Sequence, residues 1–125
     1  MTGNADIPTR IRGLRGATRP TGDDPECIRA ATRELLSALL ARNGITSESV
    51  VSAFFTTTPD LVSEFPARAA RDLGWHDVAM LCSTEIPVPN AIGRVVRVLL
   101  HVELPMNCSP RHVYLNGAEE LRPDL

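Results

Sequence analysis

The stretch that most constrains this chain is residues 94–104. Val96, Val98, Leu100, Val102 and Leu104 alternate with Arg97, Leu99, His101 and Glu103. A period of two is the signature of a β-strand, so one face is wholly aliphatic and the other, which Val95 joins, is mixed and charged. Such a strand demands a sheet with one face packed on a core. Arg97 then sits in mid-strand between Val95 and Leu99. A charge there is costly unless it is paired or lines a wet cavity.

The other elements follow from local signals. Residues 10–16 alternate moderately and predict a short strand with Ile11, Gly13 and Arg15 on one face. Asp24 as N-cap, Pro25 at the first helical position and Gly44 past the end delimit a helix over 24–43. Its apolar residues Ile28, Ala31, Leu35, Ala38 and Leu39 recur at helical spacing, which turns Arg29, Arg33 and Arg42 toward water. Residues 49–58 are β-branched and aromatic and predict a largely buried strand. A short helix over 66–73 ends at Gly74, and strands are predicted at 77–83 and 111–115. Residues 1–9 are polar, contain Gly3 and Pro8, and are expected to form a flexible lead-in to a single domain at 10–125. Five strands with one long and one short helix make an α+β or α/β sheet with a single helical layer. One sheet face is then short of cover, which favours burying it in an oligomer.

Composition narrows the class. The 125 residues are 43% hydrophobic, enough for a core without staples. No apolar run approaches the ~18 residues of a membrane helix, and the N-terminus lacks the apolar core of a secretory signal. Three cysteines without paired spacing suit reduced thiols in the cytoplasm. All 13 basic residues are arginine, spread along a chain of net charge −2 with five aromatic residues. Nucleic-acid binding needs a basic stripe or stacking aromatics, and neither is present.

Common catalytic signatures are also absent: no nucleophile elbow, phosphate-binding loop, H-E-x-x-H or C-x-x-C. Cys108 and His112 are the one Cys/His pair near metal spacing, and two ligands do not make a zinc site. What remains is arginine on strand faces. Arg97 is expected either in a structural ion pair, with Glu103 or Glu85, or in a pocket. Arg15 lies between Gly13 and Gly16, which leave open space beside a long cation. Several guanidiniums on strand faces suit a small polycarboxylate, and these residues alone define an acid-binding pocket and nothing finer.

Seven segments in order identify the chain further: IRGLRGAT at 11–18, TPDL at 58–61, FPARAAR at 65–71, the Cys82-x-x-Glu85 pair, RVVRVLL at 94–100, RHVYL at 111–115 and LRPDL at 121–125. Together they resemble the trimeric chorismate mutases of the AroH class from residue 10 to the end. The resemblance implies an α+β, pseudo-α/β-barrel homotrimer with a mixed sheet and active sites at subunit interfaces. It implies the Claisen rearrangement of chorismate to prephenate for phenylalanine and tyrosine synthesis, without cofactor or metal. By motif it assigns Arg97 to the ether oxygen and a carboxylate, and Arg15 and Tyr114 to the enolpyruvyl carboxylate. Cys82 and Glu85 meet the ring hydroxyl, and Glu85 also favours positive charge on the ring. Phe65, Ala67, Met80 and Leu121 form apolar walls, while Arg71 and Arg122 steer the dianion or pair across subunits. Arg68 stands where the family often has lysine, and Leu81 replaces a more polar residue, with its backbone near the substrate. A turn is one residue shorter near Gly74, and any C-terminal tail that helps cover the pocket is expected to be short or absent. Two competing readings are a non-catalytic trimeric module for small acids and an imine-hydrolysing relative. The first would be expected to lack Glu85 or Arg97, and the second needs only one carboxylate-binding arginine.

Overall fold

A computed structural model describes residues 7–121. The long alternating segment forms β4 (Val96–Pro105), and Val96, Val98, Leu100, Val102 and Leu104 are all buried. It pairs antiparallel on one side with β1 (Thr9–Thr18) and on the other with β2 (Val50–Thr57). β3 (Ala79–Thr84) runs parallel to β2 at one edge, and the two-residue β5 (Val113–Tyr114) runs parallel to β1 at the other. The order β3-β2-β4-β1-β5 makes a mixed sheet.

Both helices lie on one face of it. α1 (Pro25–Arg42) begins where predicted, with the Asp24 carboxylate accepting from the Cys27 N–H at 3.0 Å. It ends before Gly44, whose φ of +63° suits a residue without a side chain. Its buried stripe is Ile28, Thr32, Leu35, Leu36 and Leu39. Ala31 and Ala38, expected in that stripe, are only half-buried, because the stripe is centred on Leu35 and Leu36. Arg29 and Arg33 do not simply face water: they grip Asp72 of the short helix α2 (Ala67–Asp72). Beyond α1, the Asn43 side chain bonds both the N–H and the carbonyl of Arg111, tying the helix end to the approach to β5.

Two expectations need correction. Residues 50–57 do not form a largely buried strand: Ala53, Phe55 and Thr57 are buried, whereas Ser52, Phe54 and Thr56 lie on the face that no helix covers. The apolar run concealed an alternation. Gly16 does not open space beside Arg15. It lies on the opposite face, where a Cβ would come 2.9 Å from Leu39 Cδ1, 3.0 Å from Leu35 Cδ1 and 3.3 Å from the Val113 carbonyl. Its missing side chain lets α1 approach the sheet. Gly13 does share the face of Arg15, and there a Cβ would meet only Leu99 Cδ1 at 3.4 Å.

We therefore expect Gly16→Ala to destabilise the fold by ~1–3 kcal/mol in urea titrations, through overpacking under α1. Gly13→Ala should cost well under that. Equal costs would mean that α1 does not depend on the close approach.

Acid should weaken the same frame. Asp24 is held below its ordinary pKa by the Cys27 thiol and N–H, Asp60 by the Thr58 hydroxyl and the Arg94 N–H, and Asp72 by Arg29 and then Arg33. A depressed carboxylate contributes stability above its unfolded value near pH 4, and loses it as pH falls through the lower folded value. Melting temperatures should be level from pH 7 to 5 and drop below ~4. Asp60→Asn should flatten part of that drop.

Candidate active site

The uncovered face is set by register. β4 offers Arg97, Leu99 and His101, opposite Thr56, Phe54 and Ser52 of β2. On the other side β1 places Ala17 opposite Arg97, Arg15 opposite Leu99 and Gly13 opposite His101. Tyr114 of β5 lies beside Ala17. Arg15, Phe54, Thr56, Arg97, Leu99 and Tyr114 line a cleft of about 310 Å³, at the lower end of the range for small-molecule sites.

Glu85, one residue past the end of β3, meets the wall of this cleft through Thr56 and Arg97. Its N–H donates to the Thr57 carbonyl at 2.9 Å, continuing the parallel pairing by one residue. Its Oε2 accepts from the Thr56 hydroxyl at 2.7 Å and lies 2.9 Å from Arg97 Nε. Of the two partners expected for Arg97, the chain uses Glu85. The Arg97 side chain is still 48% exposed, against 17% for Glu85. The guanidinium is therefore braced from one edge by a mostly buried carboxylate, while the rest of it faces the wet cleft. Arg15 is braced through its backbone: its N–H donates to His112 Nδ1 at 2.9 Å, which puts that ring's proton on Nε2.

A second cluster sits across the sheet. Cys82 pairs in register with Phe55, on the helix-covered face at the β3 edge. Cys82, Phe65 and Glu64 line a separate cleft of about 370 Å³. Desolvation pushes the Cys82 thiol upward in pKa, opposed by the Ala67 N–H at the start of α2 and by the charge of Arg71. Phe65 is 68% exposed, and Arg68 and Arg71 are exposed along α2. Ala67 and Met80, expected as walls, are partly buried and pack along the margin of the main core. Leu81 points to the uncovered face, 64% exposed, and Leu121 packs with Tyr114 against Ala17 and Val95. Arg122 lies outside the described residues.

Within one chain, then, Arg15, Glu85, Arg97 and Tyr114 come together, while Phe65, Ala67, Arg71 and Cys82 form a second group on the other face. Sequence reasoning missed Thr56, which hydrogen-bonds Glu85, and Phe54, which lines the cleft. The one available signal was polar Ser52 and Thr56, in phase with Phe54 and out of phase with Phe55. Cys108 does not join His112 as a ligand: His112 serves Arg15. Among the described residues no group of three His, Cys, Asp or Glu side chains gathers to hold a metal ion. Nor is any described helix long and apolar enough to cross a membrane.

The chain is similar to known proteins along most of its length. A chorismate mutase AroH of Thermus thermophilus is 49% identical over 118 residues, spanning 92% of this chain and 96% of the relative. One from Bacillus subtilis is 39% identical over 117 residues, 92% of each chain. The solved structure of a chorismate mutase from Clostridium thermocellum superposes with a TM-score of 0.82 at 38% identity, covering 87% of this chain and 98% of that one. Residues 11–125 match the family described as chorismate mutase type I, and the chain belongs to that family.

Proposed function

We propose that this chain catalyses the rearrangement of chorismate to prephenate, feeding phenylalanine and tyrosine synthesis in the cytoplasm, where its three unpaired thiols stay reduced. The observation that carries the reading is the braced Arg97 beside Arg15 and Tyr114 in one cleft of a type I family member. Chorismate is a dianion that must fold into a compact conformer before its ether bond breaks and the new carbon–carbon bond forms. Two guanidiniums in fixed positions suit that task of orientation. As the ether bond lengthens, negative charge grows on its oxygen and positive charge on the ring. Arg97 is the cation at that oxygen, and because the charge develops only in the transition state, it accelerates the step rather than only tightening binding. Arg15 and Tyr114 take the enolpyruvyl carboxylate. Glu85 takes the ring hydroxyl and faces the developing positive charge.

The split between the two clusters supports an assembly in which copies share their sites. The uncovered face exposes Ile11, Phe54 and Leu81, an apolar surface of the kind that another copy covers. A homotrimer would bring the Arg15–Glu85–Arg97–Tyr114 group of one copy against the Phe65–Ala67–Arg68–Arg71–Cys82 group of the next. Leu121, beside Tyr114, adds an apolar wall, and Arg122 with Arg71 steers the substrate. Met80 supports Cys82 from the core margin, and the backbone at Leu81 lies within reach of the ligand.

Two experiments test this. Following loss of the chorismate diene absorbance, Arg97→Ala should lose ~10³-fold or more in kcat, and Arg97→Lys ~10²-fold, because lysine keeps charge but not the planar fork. Near wild-type kcat for Arg97→Lys would show that bulk charge is enough and remove the geometric role. Second, co-refolded Arg97→Ala and Arg71→Ala chains should recover roughly a quarter of wild-type activity, since half of each contributing face is intact. No recovery above the separate variants would place the whole site within one chain.

A further inference from the structure

α2 is six residues long, too short to persist without tertiary support. Its N-cap, Pro66, offers no side-chain acceptor to the first turn. The face it buries consists of Ala69 and Ala70. Methyl groups let a helix approach closely, but they make shallow ridges that do little to fix its slide or rotation. Trp75, buried just beyond it, anchors the chain after the helix, and a polar anchor stands at its last residue. Asp72 accepts a two-pronged grip from Arg29, Nε to Oδ2 at 2.9 Å and Nη2 to Oδ1 at 2.6 Å, and a third bond from Arg33 Nη1 at 3.0 Å. Arg33 Nη2 in turn donates to Glu26 at 2.8 Å. Arg29 and Arg33 lie one turn apart on α1, so the carboxylate is held between two planar forks. An acid at a helix C-terminus opposes the helix dipole, so Asp72 does not serve α2 as a helix. It serves the contact with α1.

We propose that Asp72 is a positioning residue for the active site: clamped by Arg29 and Arg33, it sets the place of α2, and so of Ala67 and Arg71 beside Cys82. This rests on the reading of α2 as one wall of that site.

The test uses the full chain with Cys27→Ala and Cys108→Ala, so that Cys82 is its one thiol, and compares Asp72, Asp72→Asn and Asp72→Glu. Two quantities are followed: chorismate kinetics, and the pH profile of Cys82 alkylation by iodoacetamide. Asp72→Asn should raise the chorismate KM by about 3–10-fold with kcat changed less than about 3-fold, because the chemistry at Arg97 and Glu85 is untouched. The thiol profile should move to higher pH by about half a unit or more, as the Ala67 N–H and the Arg71 charge draw away. Asp72→Glu should restore most of both. A lowered melting temperature with KM and the thiol profile unchanged would reduce the network to a staple and overturn the proposal. If Asp72→Asn fails to fold, Arg33→Met removes one of the three bonds and should give the same two shifts at smaller size; their absence overturns it equally. The thiol profile needs no turnover, so it scores Asp72 even if chorismate is not the substrate. Absence of turnover in the double-alanine parent would instead count against the mutase reading alone.

Discussion

A guanidinium can sit at the second position of β4 because both α-helices cover the sheet on one side only. The five alternate aliphatic residues of β4 take the covered side, and Gly16 brings α1 close enough to seal it. Everything on the other side inherits the opposite phase: Arg97 beside Thr56 and Ala17, Arg15 one position along, Tyr114 at the edge. Slipping β4 by one residue would bury Arg97 and expose Val98, at a cost no fold of this size could absorb. The positions of the arginines are thus secured by the energetics of the core behind them rather than by contacts within the cleft.

This explains which features could be read in the sequence and which could not. The alternation in residues 96–104, the Asp24 cap and the glycine stop after α1 are local signals, and the structure repeats them closely. The strand at 50–57 was harder, since Phe54 and Phe55 are equally apolar and only the absence of a second helical layer separates exposed from buried. Gly16 carried no local sign of its partner, because the residues it admits, Leu35 and Leu39, lie about twenty positions on. The grip of Arg29 and Arg33 on Asp72 spans some forty residues and was invisible to periodicity, which read those arginines as solvent-facing. For the site, motif resemblance gathered the residues in name, but only the register separates them onto two faces. Thr56 carries no distinctive motif, yet it joins Glu85 to the sheet.

The pairing of Arg97 with Glu85 was anticipated as an alternative to function, and the geometry makes the two compatible. The bond engages Nε, on one edge of the guanidinium, and Glu85 is itself fixed by the Thr56 hydroxyl and by its own N–H on Thr57. A long, half-exposed arginine would otherwise sample many rotamers, and freezing it at the moment of reaction would add to the barrier. With one edge held in advance, the fork is oriented before the substrate arrives, as the electrostatic role proposed for Arg97 requires. The carboxylate also weakens the local field, so a dianion is not attracted as strongly as two free cations would attract it. In the proposed reading Glu85 also faces the ring where positive charge grows, so part of that loss is returned in the transition state, and the fixed geometry of Arg97 favours the state in which charge has moved onto the ether oxygen. A braced cation therefore gives up some affinity for selectivity between the two states, which is the exchange that a unimolecular rearrangement with no nucleophile or proton transfer demands.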